Sequence, residues 1–336
     1  MLTIDIHTHI LPENLPDWAK KFGYGEYIHL EHHKPCCARM MKGTKFFREI
    51  EDNCWSAEKR IDECDVHGVH VQVLSTIPVM FNYQTKPKDG LEISKFLNDH
   101  IAEVVTNHPK RFVGLGTIPL QDIDLSIQEL ERCKKNGMKG VQIGSNINQK
   151  NLSEPEYFRF FEACRDLDMC VFIHPWEMMG EQYMQKYWLP WLVGMPAETS
   201  RAICSMLFAG IFEKLPGLRV AFAHGGGSFP FTFGRIVHGY DCRPDLVAID
   251  NPVHPSNFKG KFYVDSLVHS PEALDFLIKF MGDDFVALGS DYPFPLGENV
   301  PGTLIKKHLK NPVLEQKLLS SNALTWLNMK KDFFNK

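Results

Sequence analysis

The sequence predicts an α/β protein, a distorted (β/α)8 TIM barrel with an insertion after the first strand and a helical C-terminal tail. Three observations predict it. Eight short apolar or alternating runs recur along the 336 residues. Nearly every gap between them carries a helical pattern, and repeated strand–helix units make parallel sheets. Histidines and an aspartate fall where several of the runs end, and in a closed barrel those ends converge on one rim. An open doubly wound sheet is the competing arrangement.

The elements follow in order. Over residues 2–9, Leu2, Ile4 and Ile6 alternate with Thr3, Asp5 and His7, the period of a strand. His7 and His9 are two apart, so both face the same side of it. Residues 11–55 hold Pro12, Pro16, Gly23, Gly25, Pro35 and Gly43 and are too long for an ordinary connection. They read as a lid over the mouth of the site, with a small hairpin or short helices. Arg48 lies near its end, and a guanidinium there offers the fork that matches a carboxylate.

Ser56 is an N-cap residue ahead of an apolar stripe at Ile61 and Cys64. Val69–Ser75 alternates as the second strand. Helix 91–107 buries Phe96, Leu97, Ile101, Val104 and Val105. The third strand is 112–118, followed by a helix through Ile123, Ile127 and Leu130 that stops at Gly137. The fourth strand is 139–144, a helix covers 155–167, and Cys170–His174 is the fifth strand. A second long excursion carries Trp176, Trp188 and Trp191, suited to a pocket wall or an interface. Helix 197–213 leads to the sixth strand, 218–224. That strand runs into Gly225-Gly226-Gly227, where backbone can approach a ligand closely, and then into a helix at 229–238. The glycine run lacks the Gly-Lys-Ser/Thr ending of a phosphate loop. The seventh strand is 261–266, a helix covers 271–280, and the eighth strand is 285–290. Residues 301–336 read as two or three short helices against the outside of one barrel domain spanning 1–336.

Composition bounds the function. The chain is 44% apolar with a formal charge of -4, which argues for a real core and against nucleic acid or an anionic membrane as partner. No apolar run reaches the length of a membrane span, and the N-terminus lacks the pattern of a signal peptide. Nine cysteines are irregularly spaced with no Cys-x-x-Cys, read as reduced core thiols in the cytoplasm. The adjacent pair Cys36 and Cys37 offers a second, weaker metal reading.

His7 and His9 leave the first strand, His174 the fifth, His224 the sixth and Asp291 the eighth. Any one of them alone reads as an ordinary hydrogen-bonded residue. The set at four strand ends reads as a site for a borderline metal such as zinc. His238, His254 and His269 read as background, with His269 near the pocket.

Ile4-Asp5-Ile6-His7-Thr8-His9, His174-Pro175-Trp176, His224-Gly225-Gly226-Gly227 and Gly289-Ser290-Asp291-Tyr292-Pro293 resemble the amidohydrolase superfamily. Within it, Pro78–Phe81, Trp188–Thr199 and Asp291–Glu298 resemble the non-oxidative decarboxylase branch. The resemblance implies one Zn2+ per chain on His7, His9, His174 and Asp291, with His224 as the base that holds and activates a water. It implies that Arg48 and Arg235 grip the two carboxylates of a small substrate, Arg235 coming from the partner subunit of a homodimer. Arg243 lies near Arg235 as an assistant, and Trp191 lines the substrate's flat face. Two-metal members of the superfamily use a modified lysine at the end of the fourth strand. Here that strand ends in Gln142-Ile143-Gly144, with Lys139 at its start, so a single metal is expected.

The residue types suit that chemistry. Zinc brings a water's pKa near neutrality, and an imidazole takes and returns protons there. Nothing suggests pyridoxal phosphate, thiamine or a pyruvoyl group. The same ligands also serve hydrolases of cyclic amides or lactones, and a binding or scaffold protein could keep the barrel. The two arginines and the tryptophan wall favour a conjugated dicarboxylate, and the intact ligand set disfavours the scaffold.

Overall fold

The structure is a computed structural model and describes residues 1–334. The first strand, β1, is Ile4–Ile10, and every residue in it is buried. The insertion then forms a short helix α1 (Trp18–Phe22) and three antiparallel strands, β2 (Ile28–Lys34), β3 (Cys37–Lys42) and β4 (Lys45–Glu51), with β3 central. A full sheet thus stands where a hairpin or short helices were expected. Its inner face, through Ile28, Ala38, Met40 and Ile50, packs with Trp18, Trp55, Val79 and Leu97 in a core of its own.

The barrel continues through α2 (Ala57–His67), β5 (Val71–Thr76), α3 (Pro87–Asn107), β6 (Phe112–Gly116), α4 (Ile123–Lys135) and β7 (Gly140–Gly144). A two-residue hairpin, β8 (Asn146–Ile147) with β9 (Lys150–Asn151), precedes α5 (Pro155–Asp166) and β10 (Cys170–His174). After the tryptophan excursion come α6 (Met195–Phe208), α7 (Ile211–Lys214), β11 (Val220–Phe222), α8 (Phe229–Cys242) and α9 (Pro244–Val247). Then follow β12 (Tyr263–Asp265), α10 (Pro271–Met281), β13 (Val286–Ala287), α11 (Thr303–His308), α12 (Pro312–Gln316) and α13 (Asn322–Leu327). As the sequence predicts, Ser56 caps α2 by accepting from Lys59 N. The single helix expected over 197–213 is two, because Gly210 takes φ 68° between them.

Eight parallel strands run in the order β1-β5-β6-β7-β10-β11-β12-β13. The last returns to the first through Ile6 N–H to Leu288 O at 2.9 Å and Asp291 N–H to His7 O at 2.9 Å. This closure brings Asp291 beside residues nearly the whole chain away. The seventh and eighth strands are shorter than their apolar runs. Leu288 N–H, for example, turns out of the barrel to donate to Leu318 O at 2.7 Å.

The C-terminal segment differs from expectation in place rather than type. Instead of lying against the outside, α13 closes the end of the barrel where the strands begin. Ala323, Trp326 and Leu327 are buried with Ile4, Ile6, Val71, Leu115 and Phe172. Residues 335 and 336 lie outside the described residues. No described helix is long and apolar enough to cross a membrane. All nine cysteines are free, and Cys54, Cys64, Cys133, Cys164 and Cys170 are buried, as core thiols are.

Candidate metal centre

One ligand atom each from His7, His9, His174 and Asp291 lies within 4.8 Å of the others. His7 Nε2 is 3.2 Å from His9 Nε2. Asp291 Oδ1 is 3.0 Å from His9 Nε2 and 3.4 Å from His7 Nε2. Donors held about 2.0–2.2 Å from one tetrahedral ion stand roughly 3.4 Å apart, so the spacing fits a shared divalent cation.

The rings are also in the tautomer that a metal requires. His9 Nδ1–H donates to Thr76 O at 3.0 Å and His174 Nδ1–H to Pro175 O at 2.9 Å. A carbonyl only accepts, so each Nδ1 carries the proton and each Nε2 is left with its lone pair. His7 Nδ1 meets the Asp265 carboxylate at 2.7 Å with the same result. Such partners behind metal-binding histidines fix ring orientation and raise basicity.

Electrostatics agrees at three of the four ligands, while at His7 burial is outweighed by Asp291, Asp265 and Asp5, which raise its pKa. Burial holds His9 below the ordinary histidine range, and burial with the neighbouring His224 and His7 holds His174 well below it. Both are neutral and able to ligate. Burial opposes the charge on Asp291 too, yet His7, His224 and His9 keep that carboxyl well below its usual value. Behind β1, burial pushes Asp5 up to about 7. It accepts from His7 N at 3.2 Å and Ser290 N at 3.0 Å, tying β1 to the segment that carries Asp291.

His224 follows β11 with φ 55°, and Asp291 follows β13 with φ 58°. Left-handed backbone at non-glycine residues costs about 1–3 kcal/mol each and persists where surroundings enforce it. Here the enforcement is His224 N–H donating to Asp265 Oδ2 at 2.8 Å and Asp291 N–H to His7 O. His224 Nε2 lies 3.7 Å from Asp291 Oδ2, the oxygen not facing the histidine pair. Its Nδ1 is buried without a hydrogen-bond partner. The ring stands about 5 Å from His7 and His174, centroid to centroid.

Above the donors is a cavity lined by His9, His174 and Asp291 below and by Arg48, Trp176, Trp188, Trp191 and Phe294 around it. Arg48, on β4 of the lid sheet, stacks on Phe294 with its guanidinium carbon 4.4 Å from the ring centroid. Among the described residues no carboxylate forms an ion pair with it. Burial lowers its pKa against the pull of Asp291. Trp191 packs against Trp188 at 5.9 Å.

Two expected residues are elsewhere in this chain. Arg235 is exposed on α8 and does not line the cavity. Arg243 is exposed beyond α8 and forks onto Asp245 at 2.8 and 2.6 Å. His269 lines a separate cavity with Lys307 and His308. Gln142 on β7 accepts from Ser75 Oγ at 2.6 Å and donates to Thr76 O at 2.8 Å.

Sequence reasoning missed two partners. Asp265 stands at the exit of the seventh predicted strand, a position that in a barrel signals chemistry. Arg60, inside a helical pattern, gave no such signal. It is fully buried, donates to His9 O at 2.7 Å and Asn53 O at 2.9 Å, and stacks on Tyr292. It therefore joins the lid's exit to both sides of the metal cluster.

A barrel with three histidines and an aspartate at its strand exits is the architecture of a metal-dependent hydrolase or lyase. The amidohydrolase family model matches residues 4–329, and the chain belongs to that family. It is 57% identical over 330 residues to 2-amino-3-carboxymuconate-6-semialdehyde decarboxylase of Dictyostelium discoideum, covering 98% of this chain and 92% of the other. It is 37% identical over 385 residues to the protein of the same name from Caenorhabditis elegans, covering 99% and 96%. In fold it is similar to the apo crystal structure of Metarhizium anisopliae IDCase, with a TM-score of 0.84, 22% identity and 97% of each chain covered.

Proposed function

We propose that the protein removes carbon dioxide, without an oxidant, from 2-amino-3-carboxymuconate 6-semialdehyde, giving 2-aminomuconate 6-semialdehyde. One observation carries the reading. Three histidine nitrogens and the Asp291 carboxylate cluster at the floor of an aromatic cavity that His9, His174, Asp291 and Arg48 line, with the His224 imidazole 3.7 Å from Asp291 and, among the described residues, no carboxylate paired with Arg48. The chain that holds them is 57% identical to a protein of that name. His7, His9, His174 and Asp291 would hold one zinc ion per chain. When bound, zinc supplies Lewis acidity and brings the pKa of a water near 7.

The side chains divide the work. His224 Nε2 accepts a proton as the water oxygen adds to C2 and passes it to C3. The C3–carboxylate bond then breaks. Its electron pair restores C2=C3 as hydroxide leaves C2, and the hydroxide takes up the one net proton of the reaction from solvent. Arg48 orients one carboxylate with its fork. Trp191 and Phe294 exclude water around the carboxylate that departs as neutral carbon dioxide.

Arg235 would reach the second carboxylate from a partner subunit, with Arg243 beside it. A homodimer is supported by Phe231, exposed one turn before Arg235 on α8, and by the further exposed apolar side chains Tyr187, Leu192 and Val193. The chain is read as one barrel domain with 11–55 as its lid, acting in the cytoplasm. There it would draw an unstable semialdehyde of tryptophan catabolism away from closure to quinolinate. The test is to supply freshly generated substrate and follow its absorbance together with released carbon dioxide. Stoichiometric carbon dioxide is expected. Bound zinc without carbon dioxide would overturn the substrate, and other aromatic carboxylates and then cyclic amides would be tried.

A further inference from the structure

The Asp265 carboxylate, at the end of β12, makes four hydrogen bonds in two pairs. Oδ2 accepts from His7 Nδ1 at 2.7 Å and from His224 N at 2.8 Å. Oδ1 accepts from Gly225 N at 2.8 Å and Leu267 N at 3.1 Å. Asp265 is fully buried, and among the described residues no lysine or arginine pairs with it. A buried carboxylate is costly unless its lone pairs are filled, and here four N–H groups fill them. Two of the four belong to the groups between which the reaction is divided, one on β1 and one after β11.

A second observation is independent of those bonds. A Cβ built on Gly289 would stand 2.6 Å from the Asp265 Cβ and 2.8 Å from the His7 Cβ. The position before Ser290 and Asp291 therefore needs glycine to let Asp265 and His7 come together. Three strands are shaped around this one contact.

We infer that Asp265 is a positioning residue that binds the metal ligand His7 and the base His224 into one unit. Its Oδ2 has two effects. It keeps the proton of His7 on Nδ1, baring Nε2 toward the cation. It also anchors the His224 amide, holding that residue at φ 55° with its ring over Asp291. Asparagine cannot serve all four N–H groups: with Nδ2 in the place of Oδ1 it would face two fixed N–H groups, those of Gly225 and Leu267. With Nδ2 in the place of Oδ2 it would face only one, that of His224, and His7 Nδ1 can turn acceptor, moving the ring's proton to Nε2.

The inference rests on His7 being a metal ligand. The experiment uses purified wild type and Asp265→Asn, stripped and reloaded with zinc, with affinity read by competition against a chromophoric chelator. Asp265→Asn is expected to lower zinc affinity by about 10–100-fold. When saturated with zinc it should still show reduced kcat with little change in KM. Nitrogen-15 spectra of the stripped proteins should place the His7 proton on Nδ1 in wild type and on Nε2 in the variant. A purely structural role would lower the melting temperature and leave zinc affinity and tautomer as in wild type, which would overturn the inference. Wild type with its His7 proton on Nε2 would overturn it without any variant, so the test survives a variant that fails to fold. Wild type that binds no zinc would instead overturn the metal reading on which it stands.

Discussion

Where the barrel strands begin, Trp326, Leu327 and Ala323 close the interior against Ile4, Val71 and Phe172. Where they end, His7, His9, His174, Gln142, Asp265 and Ser290 fill the same interior with polar groups, all buried. Phe172 is the layer between. Its ring is 4.9 Å from His7 on one side and 6.0 Å from Trp326 on the other. The apolar end asks only for volume and shape, and it tolerates a Trp326 indole nitrogen with no partner among the described residues. The polar end asks for partners in stated directions, as at the Nδ1 atoms of His7, His9 and His174. One end should therefore set stability and the other chemistry.

Substitutions at the two ends can break that division. The largest effect is expected at the polar end. His174→Ala should lose bound metal and lower turnover by about 10³-fold or more, the scale of removing a group that stabilises developing charge, while the far-ultraviolet spectrum stays native. At the other end, Trp326→Ala should cost about 3–5 kcal/mol in denaturant unfolding. The kcat of its folded fraction should stay near wild type. A large loss of turnover with Trp326→Ala would mean that Phe172 transmits strain to His7, and the two ends would not be separable.

The lid sharpens the comparison, since it adds charge to the polar end from outside the barrel. Arg48→Met should raise KM by about 10–100-fold, the worth of a charged hydrogen bond, with a smaller fall in kcat. A change confined to stability would remove Arg48 from substrate binding.

The smallest effect belongs to neither end. His100, on α3, is held down to about 4 by burial and by Arg60, and its Nδ1 has no partner among the described residues. The unfolded chain takes up its proton near pH 6.5 and the folded chain does not. Stability from this group is thus full above pH 6.5 and is lost as pH falls toward 4. Melting curves should show a loss of about 1–2 kcal/mol by pH 5 that His100→Gln abolishes. An unchanged acid slope in that variant would assign the loss elsewhere.

The legible parts of the sequence were those with a period or a fixed position. The eight strands could be read because a buried parallel strand is a short apolar run, and the metal donors because each stands at the end of one. The C-terminal plug could not. Apolar spacing at Ala323, Trp326 and Leu327 predicts a helix but not which surface it covers. The lid sheet was hidden because β2 and β4 mix histidine, lysine and glutamate on their exposed face, so their alternation is weak. Arg60 was illegible for a different reason. Two of its partners, His9 O and Asn53 O, are backbone atoms, which leave no mark in the sequence, and the others, Gln72 and Tyr292, are distant in it.

The central claim is that the polar end works by holding one zinc ion on His7, His9, His174 and Asp291. Its most direct test is to strip the protein of metal, add zinc in measured steps, and record carbon dioxide released from 2-amino-3-carboxymuconate 6-semialdehyde at each step. Activity should start near zero, rise in proportion to added zinc and level off at about one ion per chain. Full activity in the stripped protein, or none at saturation, would contradict it.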